Sequence, residues 1–187
     1  MSTVGQLVRE TIDLTDRGLH QQAFYPAVQA IKATLEKASN GAVFSDQDLK
    51  NFLNDSWQII SMIGMPQSPQ LPPDLSSLMR QNAQFFVVER SIAETVFYII
   101  RQTILIGGLP LEFAVNTNPN FEFKVGKLFL PVGLVNGLLG SVIFHPANSD
   151  EQIEDKYWFN FAGFKMFISE FWGRRDLAER IIKFHLE

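Results

Sequence analysis

Val4, Leu7, Val8, Thr11 and Leu14 recur at three- and four-residue intervals, which predicts a helix over 4–17 with one side turned inward. Gly18 supplies its stop. Phe24, Ala27, Val28, Ile31 and Leu35 repeat that period and predict a second helix from about Gln21 to Ala38. Pro26 falls in its first turns, where proline is tolerated, and Asn40-Gly41 closes it. The third start is the clearest. Ser45 as N-cap with Asp48 three residues on is a variant of the capping box, and Phe44 with Leu49 forms a hydrophobic staple across it. That helix runs through Phe52, Trp57, Ile60 and Ile63 to Gly64.

The nine residues MPQSPQLPP, 65–73, hold four prolines and read as a connector. Asp74–Val88 and Glu89–Ile106 then read as one or two helices. After Gly107 the period changes. Phe121, Phe123 and Val125 alternate, followed by Leu128 and Leu130, which predicts a β-hairpin within about 119–131. Gly126-Lys127 has the glycine-first form of a type II′ turn. A buried helix over about Val132–Phe144 follows, and Pro146 breaks it. The acidic loop 150–156 reads as surface, and residues 157–161 as a strand or the beginning of a helix. A closing helix or helix pair covers roughly Phe164–Leu186, with Gly173 as its break. The expectation is a mainly α fold: a single domain over 1–187, a bundle of about six to seven helices with a small β-hairpin insertion.

Composition narrows the chemistry. The chain has 187 residues, enough for one real core, and 46% of them are hydrophobic against 19% charged. The net charge of −4 argues against autonomous binding to a phosphate backbone, which needs a basic face. Cysteine is absent, so disulfides, thiol catalysis and cysteine-ligated metals are excluded. That absence and the charged N-terminus, with Arg9, Glu10, Asp13, Asp16 and Arg17, fit a cytoplasmic protein without a secretory signal. Residues 128–144 carry no charge, but Pro131 and Asn136 interrupt them. The Gly133-x-x-x-Gly137 spacing there points to a buried helix packed closely on a neighbour, not to a membrane span.

Arg90, Glu94 and Arg101 lie on nearly one face of the predicted helix 89–106, since their spacings are four and seven residues. Ile92, Val96, Ile99, Ile100 and Thr103 form the opposite, apolar side. By periodicity alone this stripe is a solvated face, with Arg90–Glu94 an exposed pair. A long helix with an acidic residue that ends in Arg, a polar residue and then Gly resembles the HEPN superfamily of helical bundles. The phrase DRGLHQQAFYPAVQAIKATLE, 16–36, is similar to a helical start common there. The resemblance implies RNase or abortive-infection relatives that dimerise along this helix. It matches Arg101 to the catalytic arginine, Gln102 to the polar residue after it, Glu94 to the acidic residue and Gly107 to the glycine. Ile106 stands where the family carries histidine. An isoleucine neither moves a proton nor donates to a phosphate oxygen.

Other chemistry is sparse. Arg180 and His185 repeat the arginine–histidine spacing without a following glycine, while His20 and His145 read as loop and helix-end residues. No metal-ligand motif is present, and neither metal nor cofactor is expected. The aromatic group Tyr157, Trp158, Phe159, Phe161, Phe164, Phe167, Phe171 and Trp172 reads first as core or oligomer interface. The turn from Gly173 to Asp176 either binds an anion or starts the last helix. The leading expectation is a non-catalytic or altered HEPN-like protein. It would bind a protein partner, RNA or a nucleotide-containing ligand through Arg90, Glu94, Arg101 and Gln102, as a homodimer without membrane contact, in defence or toxin–antitoxin regulation. The alternatives are an active metal-independent RNase using Arg101, and a structural or regulatory interaction module without ligand.

Overall fold

Three helices among the described residues start on the same device: a side chain and a backbone N–H exchanging hydrogen bonds three residues apart. Thr3 with Gln6 opens α1 (Val4–Asp16), Ser45 with Asp48 opens α3 (Asp46–Gly64), and Ser91 with Glu94 opens α4 (Ile92–Ile106). The computed structural model describes residues 2–65 and 91–186. The expected helix Asp74–Val88, the connector beyond Met65, and Glu89 and Arg90 lie outside the described residues. The other helices are α2 (His20–Ala38), α5 (Val132–Ile143) and α6 (Arg175–Leu186). Among the described residues the fold is mainly α, with six helices and two small sheets.

The larger of two buried clusters draws on α1, α2, α3, α4 and α5 and extends to Ile168 and Trp172. Helix α5 is enclosed on most sides, with Leu134, Val135, Leu138 and Val142 at most 1% exposed. Its twelve residues span only about 18 Å, well short of the roughly 30 Å hydrocarbon layer. No helix among the described residues is long and apolar enough to cross a membrane. Gly133 and Gly137 turn to α3, where a Cβ on either would run into the backbone of Gly64 or Ile60. The close packing expected from their spacing is present.

The first sheet has the order β1-β3-β2, with β1 (Phe113–Asn116) parallel and β2 (Glu122–Lys124) antiparallel to β3 (Lys127–Pro131). The hairpin is where the alternation placed it, but its turn is shifted by one residue. Lys124 pairs with Lys127, so Val125 and Gly126 are the turn residues, and both have positive φ, 50° and 73°. That is a type I′ turn, not the II′ turn read from Gly126-Lys127. A β-branched residue is strained in this conformation, and Val125 is fully exposed, with no packing to compensate. Val125→Asn is therefore expected to raise stability by about 1 kcal/mol. A urea midpoint that stays put or falls would reject the I′ assignment.

The expected helix from Phe164 is replaced at its start by a strand. β4 (Trp158–Phe161) and β5 (Phe164–Phe167) form a second antiparallel hairpin around Ala162-Gly163, both with positive φ. A single 3-10 turn, Ile168–Glu170, then leads to α6, which begins after Gly173. Phe161 and Met166 face inward with Ile182 of α6, around the fully buried Phe144. The Phe144 and Phe159 rings meet edge to face at 5.8 Å, which seats the inner face of β4 on the end of α5.

Candidate functional site

Glu94 and Arg101 are both on α4, and each is engaged within its own chain. Glu94 accepts the Ser91 N–H at 2.9 Å, completing the box that starts the helix. Arg101 donates from Nε to Asp46 Oδ2 at 2.7 Å and so ties α4 to the first turn of α3. Both partners are solvent-accessible, so the pair is worth at most about 1 kcal/mol. Gln102, the next residue, is half-buried, and Arg90 lies outside the described residues. The apolar side is as expected, with Val96, Ile99, Ile100 and Thr103 all buried without exposure. Ile106 is the last residue of α4 and is 64% exposed. Gly107 then takes the left-handed conformation, φ 78°, that ends the helix.

The histidines are not assembled with these groups into any described cluster. No three His, Asp or Glu side chains among the described residues stand close enough together to hold a metal. His20 opens α2 instead of lying in the loop before it. His145 accepts the Ala147 N–H on Nδ1 and packs against Phe52 at 5.4 Å. Burial first, and then the nearby Arg175, push its pKa below the usual histidine value. A helix-end dipole would have raised it, so His145 is a neutral packing residue. Arg175, read as part of a possible anion turn, donates to the Asp55 carbonyl and to Glu179 and starts α6.

A cleft of about 310 Å³ opens between α1, α5 and β4. Leu139, Ile143 and Ile168 line its floor and are nearly inaccessible. Its rim is polar: Thr15 and Asp16 from α1, Asn136 from α5, Lys156 just before β4, and Trp158 and Asn160 of β4. Each element has a reason to be there. Tyr157 fastens the start of β4 to α1 by donating its hydroxyl to Asp13 at 2.9 Å. Burial and that hydrogen bond raise the phenol's pKa. Asn136 is the exposed polar side chain of α5, whose other polar residue, Ser141, is buried, and it lines the cleft. Trp158 is 47% exposed, with the Lys165 ammonium 4.4 Å from its ring centre. Lys156 is held by Glu154 at 2.9 Å, and that contact raises its pKa.

The sequence had singled out Trp158 only as part of an aromatic group and Asn136 only as a break in an apolar run. A polar side chain in the middle of a buried helix is the signal that points here. A second, wider groove lies across Asn160, lined by Met62, Met65, Ile182 and His185. Met65 in its lining is the last described residue before 66–90, so the first cleft is the better-defined site.

No curated protein matches this sequence, and no solved structure does. A family model described as Rv1289 matches residues 3–187. The match covers nearly all of the sequence, and the chain belongs to the Rv1289 family.

Proposed function

We propose that this protein is a non-catalytic binding protein of HEPN-like type, with its ligand seat in the cleft between α1, α5 and β4. The observation that carries the reading is the lining of that cleft: uncharged and oppositely charged polar groups around a buried apolar floor. Pockets of this composition hold small ligands, the floor supplying affinity and the few polar groups orientation. The α4 stripe supports the loss of catalysis. Arg101 has its Nε engaged by Asp46, and the position before Gly107 holds Ile106, which exchanges no proton.

The purified protein is expected to leave total RNA intact in the absence of added metal, over a time in which an RNase control degrades it. Cleavage that disappears in Arg101→Ala would overturn this reading and establish an RNase that works through Arg101.

A further inference from the structure

Among the described residues β4 pairs with β5 on one side only, so its other edge carries no strand from them. The register decides which backbone groups lie on that edge. The Ala162-Gly163 turn joins Phe161 to Phe164, and a two-residue turn closes on a hydrogen-bonded pair. Alternation makes Phe159 opposite Met166, and then Tyr157 opposite Ile168, the next bonded positions. The Ile168 N–H does donate to the Tyr157 carbonyl, at 3.1 Å. Trp158 and Asn160 fall between these positions, so their N–H and C=O groups point away from β5. Both residues line the cleft. These backbone donors and acceptors thus belong to two residues of the cleft lining, and the hairpin fixes them independently of side-chain rotamers.

We propose that this cleft binds an uncharged planar heterocycle of the nucleobase class, with its donor–acceptor edge on the backbone edge of β4 away from β5. This deepens the binding role proposed above and rests on it. A flat molecule that continues the plane of the sheet past β4 lies over Leu139 and Ile143, because the inner face of β4 sits on the end of α5. The Asn136 amide is available to a further polar group on the ligand. The charges argue for a neutral ligand. Asp16 and Lys156 balance each other on the rim, and Lys156 is already held by Glu154. Such a lining gives a phosphate no surplus cation. The volume is at the lower end of small-molecule sites, about 300–1,000 Å³, and suits a nucleoside better than a run of peptide residues.

The test is calorimetric titration of the full chain with the four ribonucleosides, the matching triphosphates and a capped tetrapeptide of alternating valine and threonine. At least one nucleoside is expected to bind. Methylation of that nucleoside's base-pairing edge should weaken it roughly tenfold, the worth of one hydrogen bond, and its triphosphate should bind no more tightly. Asn136→Phe, filling the cleft from an exposed position on α5, should abolish the heat while leaving the circular dichroism spectrum unchanged. Thr15→Phe blocks the opposite wall and serves the same purpose if the first variant does not fold. Binding by no nucleoside, binding indifferent to the filled cleft, or binding of the peptide instead overturns the proposal. Intact RNA with no nucleoside binding overturns this inference alone. Cleaved RNA that depends on Arg101 overturns the reading beneath it.

Discussion

Gly137→Ala is expected to lower folding stability by about 3 kcal/mol, the upper end of the usual cost of overpacking. A Cβ built on Gly137 stands 2.4 Å from the Ile60 carbonyl oxygen and 3.1 Å from its carbon. Those atoms are backbone, so no rotamer change makes room. α3 would have to move away from α5. The same seam continues one turn earlier, where a Cβ on Gly133 would stand 2.0 Å from the Gly64 carbonyl oxygen and one on Gly64 would stand 2.3 Å from that of Gly133. Three glycines thus set one interhelical distance, and elsewhere on α5 Leu134, Val135, Leu138 and Val142 are packed with almost no exposure. Once α3 and α5 have parted for one methyl, a second in the same seam costs less, so Gly133→Ala combined with Gly137→Ala should fall short of the sum. Gly108→Ala is the control, because a Cβ there meets nothing within 4 Å and its backbone is ordinary. It should stay within about 0.5 kcal/mol of the parent protein. Urea midpoints at constant slope measure the parent, both single variants in the seam, their double and the control. A Gly137→Ala midpoint as close to the parent as that of the control would mean the helices are not in backbone contact.

That seam was legible because its signal is local. Glycines four apart on one helix report on the face they share, whatever they pack against. The Ser45–Asp48 box was legible for the same reason. The pairing of β1 with β3 was not, because Phe113 and Leu128 come together only after the intervening β2 has folded back. β5 was misread because Phe164, Phe167, Ile168 and Phe171 satisfy a helical period as well as a strand does. What decides against the helix is the turn at Ala162-Gly163, and alanine gives no advance notice of a positive φ. The stripe on α4 shows the limit for sites. Its shared face could be read from spacing, but Asp46, the partner of Arg101, is 55 residues away in sequence. The Glu94 box with Ser91 was readable, and explains that acidic residue without any ligand. The cleft left two marks in the sequence, Asn136 within an apolar run and Trp158 in an aromatic one. Neither names its neighbours, since the cleft is made by elements that meet only in three dimensions.

The loop at 150–156, which composition marks as surface, contains a side chain that is not. Glu151 has only 12% of its side chain exposed and joins three segments. It takes the Lys37 ammonium at 2.8 Å from the end of α2, and it accepts the Gly5 N–H at 2.9 Å at the start of α1. That N–H is one of the donors an N-terminal helical turn cannot satisfy itself, and the helix dipole favours a carboxylate there. Glu151→Ala leaves the donor unpaired and Lys37 with Asp150 as its remaining partner here. Removing hydrogen bonds to a charged group of this kind costs about 2 kcal/mol. Glu151→Gln keeps an acceptor for Gly5 and should lose less. The dependence on pH distinguishes this clamp from simple loss of packing. Burial alone would lower the pKa of Lys37, but the hydrogen bonds to Asp150 and Glu151 outweigh it and raise it above the usual 10.5. The Lys37 contribution is therefore complete below 10.5 and is lost as the pH rises through the higher folded value. Asp150 behaves in the opposite sense. Its hydrogen bond with Lys37 holds its pKa below the usual 3.8, so its contribution is present above that value and fades as the pH falls through the folded one. The stability gap between the parent protein and Glu151→Ala should accordingly be flat across neutral pH and narrow on the alkaline side of the lysine range. It should not close there, because the bond from Gly5 does not titrate. Urea denaturation of both proteins at neutral and strongly alkaline pH reads this directly, and a gap that is absent at neutrality or unchanged in alkali would remove Glu151 from the clamp.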